Sequence, residues 1–283
     1  GTDDRAWGSV ARRGVRALQG SEEGTSATEA WRDTVSRSRD DDGPWEPDEV
    51  WVRDDDDAPT ETVVRRTGDT GPHRRNVPAP VVAELAAAAG AQRGSKLAAR
   101  LADATHAYDR ERYQEARRIL RPLAEEVPDA AAVQELYGLV LYRSGQWALA
   151  ARHLEVYRTL TGSTDQHPVL ADCYRALRRY DSAEELWDEL REASPGGDLV
   201  AEGRIVAAGC RADQGDLSGA IALLERSAKR VHRPQDRHLR QWYTLADLYE
   251  RAGDLPRARD LFGRVNATDP DAFDVRLRLR ALR

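Results

Sequence analysis

Apolar and small positions recur along this chain at the period of a helical hairpin, and the recurrence predicts its elements. Registered on Ala116, Ala150, Ala183, Ala220 and Ala258, which stand 34, 33, 37 and 38 residues apart, the sequence falls into five copies. Twelve residues before each alanine stands a small residue: Ala104, Gly138, Ala171, Ala208 and Ala246. Three before it stands a large one: Tyr113, Trp147, Tyr180, Leu217 and Leu255. Four after it come Leu120, Leu154, Trp187, Leu224 and Phe262, a spacing that extends an apolar stripe along one helix face. Small residues let two helix backbones approach and large ones fill the space beside them, so each copy reads as two packed helices.

Turn chemistry closes each copy. Gly145, Gly215 and Gly253 mark the turn between the two helices, and Pro128, Pro195 and Pro270 stop the second, because proline lacks the donor that the next turn requires. Copy four departs from the others, with Arg211, Ser227 and His232 in place of an aromatic, an apolar residue and proline; it is expected to have longer helices and looser stacking. Pro80 opens a further helix through Ala89 that is expected to cap the first copy. Val275, Leu279 and Leu282 line one face of a C-terminal capping helix.

The last copy, with Trp242, Leu245, Ala246, Tyr249, Gly253, Ala258, Phe262 and Pro270 at fixed spacing, resembles the tetratricopeptide repeat. The resemblance implies an all-α, right-handed solenoid of about five helical hairpins. The expected division is an acidic tail over 1–78, a capping region over 79–96, repeats over 97–270 and the terminal cap over 271–283. By resemblance, the first helix of each copy lines a concave face that binds a peptide or helix of another protein. The first-helix residues set away from the small-residue stripe are Glu135, Leu139, Tyr142, Asp172, Arg175, Tyr243, Asp247 and Glu250, and these are the expected partner-binding positions. The Lys, Asn and Arg clamp with which some members grip a C-terminal carboxylate is replaced by Leu101, Thr105, Leu136, Asp165 and Val169, so that ligand is not expected.

Composition sharpens the N-terminal boundary. Residues 1–78 hold 18 acidic residues against 12 Arg and carry little apolar surface, so they are expected to be disordered, and the whole net charge of −6 falls there. Four of the seven Trp nevertheless lie in that segment, and Trp45 and Trp51, set among acidic residues, read as a recognition element. The link between copies four and five is basic, and Arg230, Arg233 and Arg237 are the expected landing site for the tail. The balanced charge of the remainder disfavours nucleic acid, although its Arg-dense stretches keep an RNA-binding repeat protein as the alternative. With no Met anywhere, Gly1 is not expected to be the translation start.

Motifs for chemistry do not emerge. Six scattered histidines form no metal-binding pair, phosphate-binding glycine loops are lacking, and two cysteines make no disulfide framework. A non-enzymatic, cytoplasmic scaffold is expected, without cofactor, metal, small-molecule substrate or membrane span, whose partner is another protein.

Overall fold

The computed structural model describes residues 77–228 and 231–282, and among these the secondary structure is helical. The expected tail, with Trp45 and Trp51, and Arg230 of the basic link lie outside the described residues. Helix α1 spans Ala79–Ala89. Five hairpins follow: α2 (Ala91–Asp109) with α3 (Tyr113–Glu126), α4 (Ala131–Arg143) with α5 (Trp147–Thr161), α6 (His167–Ala176) with α7 (Tyr180–Ala193), α8 (Gly197–Asp213) with α9 (Leu217–Glu225), and α10 (Asp236–Arg251) with α11 (Leu255–Thr268). Helix α12 (Val275–Ala281) closes the C-terminal end.

Each first helix packs on its own second helix, on the second helix of the preceding copy and on the neighbouring first helices, which makes the stack an all-α solenoid. The small-residue column does what its chemistry demands. A Cβ at Gly138 would stand 2.7 Å from Leu154 of α5, so the close approach of α4 to its partner needs glycine there. Gly94 plays a similar part before the first copy, since a Cβ on it would stand 2.5 Å from the Ala86 backbone of α1.

The turn inside each copy adopts a left-handed residue five positions before the repeat alanine. Gly145, Gly215 and Gly253 occupy it with φ of 70, 89 and 82°. In copies one and three the same place is taken by Glu111 and Arg178, both at φ 58°, where a side chain is strained. The residue that follows caps the second helix in the last two copies. Asp216 accepts from the Gly219 N–H at 2.8 Å and Asp254 from the Arg257 N–H at 3.2 Å, satisfying donors that a helix start leaves open.

Copy four differs from its expectation in one helix. Helix α8 is long at 17 residues, but α9 has only 9 against 14 or 15 in the other second helices. Ser227, which holds the place of Leu190 one copy earlier, turns its hydroxyl onto the Leu224 carbonyl at 3.1 Å instead of continuing the apolar stripe. The buried apolar groups form one large cluster from α1 to α7 and another from α9 to α12, which meet on α8, with a small third cluster of Trp187, Leu190, Val200 and Ala207 between α7 and α8. Val206 and Cys210 belong to the first cluster, and Ile205, Ala208 and Ala212 to the second.

Candidate protein-binding face

The first helices are where the sequence places a binding surface. At about 100° per residue, a position two before the small residue lies nearly opposite the hairpin partner. That column carries Leu136, Val169 and Val206 on α4, α6 and α8, and all three are buried. On α4 every residue from Ala131 to Tyr142 is buried, and on α8 every residue from Val200 to Cys210.

A polar ladder ties successive first helices together. The Tyr142 hydroxyl of α4 donates to Asp172 of α6 at 2.5 Å. Arg175 of α6 donates to Asp172 at 2.8 Å and to Asp213 of α8 at 2.6 Å, so one chain of charge-assisted bonds crosses three copies. Burial and the adjacent Asp172 carboxylate raise the Tyr142 phenol well above its ordinary range, keeping it a donor. Burial opposes the charge of Arg175, but Asp172 and Asp213 outweigh it and raise the pKa. Nearer the helix N-termini, Gln166 donates to Glu135 at 2.8 Å, Arg240 of α10 pairs with Glu202 of α8, and Arg237 pairs with Asp198 at 3.0 Å. At the C-terminal end Tyr243 bonds to Asp274, and Arg278 of α12 reaches Asp247 at 2.6 Å and Glu250 at 2.8 Å.

The residues expected to face a partner therefore occupy another environment. Glu135 and Leu139 are 0% exposed, and Tyr142, Asp172 and Tyr243 are buried as well. Arg175, Asp247 and Glu250 keep part of their side chains accessible but spend their charges on Asp172, Asp213 and Arg278. Tyr142 and Tyr243 also pack on their own hairpin partners, against the rings of Trp147 and Phe262 with centroids 5.3 Å apart in each pair, while the polar groups pair with the copy or helix that follows, which position relative to the small-residue stripe does not record. In the basic link, Arg237 is held by Asp198, while Arg233 is exposed.

Other groups have no signal within a single copy. Glu84 of α1 accepts from the Ala131 N–H at 2.7 Å and so caps α4 from 47 residues away, with burial as the chief cause of its raised pKa. Burial holds His153 and His167 below the ordinary imidazole range; the Glu189 carboxylate, 2.9 Å from His167, offsets only part of that. Cys173 and Cys210 are free and buried, and burial pushes the Cys210 thiol up to about 12, which keeps it protonated and unreactive. No group of three or more His, Cys, Asp or Glu among the described residues could hold a metal ion.

Comparison with known proteins agrees with this architecture. The tetratricopeptide repeat profile matches residues 101–163 and 169–236, and a second profile of the same repeat matches 211–282. The chain belongs to the tetratricopeptide repeat family. The crystal structure of a thermophilic TPR protein from Thermus thermophilus is similar in fold, with a TM-score of 0.50 and 18% identity over 65% of this chain and 96% of that one. No curated protein matches the chain. Within the tetratricopeptide repeats, α1 lies before the matched region and packs on α2, while α12 falls inside the last match. Among the described residues no helix is long and apolar enough to cross a membrane.

Proposed function

We propose that this tetratricopeptide repeat chain is a non-catalytic interaction scaffold of the cytoplasm, whose stacked first helices hold a peptide or helix of a protein partner. Such repeats are generally protein–protein interaction modules. The observation that carries the finer reading is the continuous inner column of Leu136, Val169 and Val206, bordered by Leu139 and Tyr142. Repeats stacked at helix-packing distances of about 10 Å present such a column at the pitch at which an extended or helical segment offers successive anchors.

Apolar anchors flanked by fixed charges suit a segment bearing both kinds of side chain. Tyr142, Asp172 and Arg175 hold neighbouring copies in register, so their role toward a partner is to fix the spacing of the column. The test is site-specific photocrosslinking in cells, with a photoreactive residue at Leu139 or Asp213 of the inner side and at Arg118 of the outer layer. Adducts with one protein partner from Leu139 and Asp213, absent from Arg118, are the expected result. Adducts from Arg118 alone would move the binding surface to the second helices.

A further inference from the structure

Helices α4 and α8 are closed on every side, and the repeat packing does not account for all of that closure. Helix α4 is flanked by α5, α3 and its first-helix neighbours, and α8 by α9, α7, α6 and α10. A helix in this layer has one remaining side, turned away from the second helices. The second helices show what an uncovered side looks like: Leu149 and Leu160 of α5 are 43% and 41% exposed. Over Ala131–Tyr142 and Val200–Cys210 no position of the first helices is left open. Their composition agrees, since AAVQELYGLVLY is apolar almost all round, the mark of a helix that is surrounded.

The covered side has a definite chemistry. Its middle is the apolar column of Leu136, Val169 and Val206. Carboxylates, Glu135 on α4 and Glu202 on α8, the second shared with Arg240, stand toward the helix N-termini, and the Arg143 guanidinium stands toward the C-terminus of α4. A matching occupant is amphipathic, with arginines along one edge and acids within reach of the other.

The chain supplies such a segment. Ahead of Val77 lie 76 residues, among which Trp7, Val10, Val15 and Leu18 recur at helical spacing with Arg12, Arg13 and Arg16 between them, and Asp3 and Asp4 just before. Seventy-six residues reach on the order of 200 Å when extended, several times the roughly 50 Å of a five-hairpin stack, so length is no obstacle. Covalent attachment holds the segment at an effective concentration on the order of millimolar. We propose that residues 1–76 occupy the inner side of copies two to four in cis, with the stretch from Trp7 to Leu18 on the Leu136, Val169 and Val206 column and its arginines toward Glu135 and Glu202. This places the occupant away from the basic link, and it rests on the reading of the inner side as a binding surface.

The experiment uses the full chain with a specific protease site inserted between Asn76 and Val77. After cleavage, the expected result is that fragment 1–76 co-elutes with the repeats in size exclusion at low salt, while amide exchange in α4 and α8 stays slow. Trp7→Ala combined with Val15→Asp is expected to release the fragment and speed exchange in those two helices about tenfold or more, leaving α11 unchanged. Separation of the wild-type fragment on cleavage overturns the proposal. If α4 and α8 remain protected after that separation and light scattering gives twice the chain mass, the cover is a second copy. Crosslinks from Leu139 discriminate further. An adduct within the chain to residues 1–76 supports cis occupancy, whereas adducts only to a foreign protein uphold the scaffold reading and overturn the cis one.

Discussion

The two layers of the solenoid obey different rules, although each hairpin contributes one helix to each. The second helices α3, α5, α7 and α11 are amphipathic: an alanine and large apolar groups one and two turns on face the first layer, and Arg, Glu and Thr face out. The first helices α4, α6 and α8 have no such outward side, and Tyr142, Gln166, Arg175 and Arg240 tie them to neighbouring copies. A second helix is satisfied by its own hairpin and the next first helix, whereas a first helix needs the copies on both sides. The inner layer is thus the more cooperative part of the molecule.

The largest effect should come from cutting into that layer. Leu136→Ala removes a fully buried side chain with no exposed side onto which the structure can relax, and should cost about 2 to 5 kcal/mol, while Leu149→Ala on the outer layer should stay within about 0.5 kcal/mol. Chemical denaturation of the two variants decides; equal losses would erase the distinction between layers.

Gly94→Ala pushes a methyl group onto the Ala86 backbone, which cannot swing aside as a side chain can, and should cost about 1 to 3 kcal/mol. The loss should appear first as faster amide exchange in α1 and α2, with α10 and α11 unaffected. Uniform exchange across the chain would mean that the N-terminal helix pair is not a separable unit.

The turn joining the layers offers a gain. Glu111→Gly and Arg178→Gly relieve a left-handed strain of about 1 to 2 kcal/mol per residue against a glycine entropy cost of about 0.5 to 1 kcal/mol, so each should stabilise by about 0.5 to 1 kcal/mol. Higher melting temperatures in both are expected; lower ones would show that the Glu111 and Arg178 side chains contribute more than their strain removes.

The smallest effect is one of pH. His153 and His167 are harder to protonate in the folded chain than in the unfolded one, whose imidazoles titrate near about 6.5, so the unfolded chain binds more protons as the solution is acidified. The stability they contribute is intact above about pH 7 and declines as pH falls through that value toward the depressed folded ones. Melting temperatures compared at pH 7.5 and 5.5 should fall, and fall less when both residues are Gln. An equal fall in the double variant would assign the pH response to other groups.

The hairpin period, the small-residue column, the glycines of the turns and both terminal helices were legible in the sequence, because each is set by contacts within one copy or at its edge. Ala116 and Leu120, or Gly138 and Leu154, meet inside one hairpin, so their spacing records their contact. Copy four was half legible: its substitutions at Ser227 and His232 announced an irregularity, but whether its helices lengthen or shorten depends on where the chain must arrive to start α10. The proposed partner-contacting residues lie on the first helices, and their burial there depends on contacts between copies. Tyr142 finds Asp172 across 30 residues, Arg175 finds Asp213 across 38 and Ala131 finds Glu84 across 47, distances at which no local pattern records the pairing.

The sequence by itself determined that this protein is a stack of helical hairpins, and which face of each second helix turns inward, because helical periodicity and steric fit act over one hairpin at a time. Only the tertiary structure decided that the first helices are enclosed and that their polar side chains belong to the next copy. The physical reason is that the charge pairing on that layer is created by the approach of neighbouring repeats, and its enclosure by contacts beyond one hairpin, distances the chain acquires on folding.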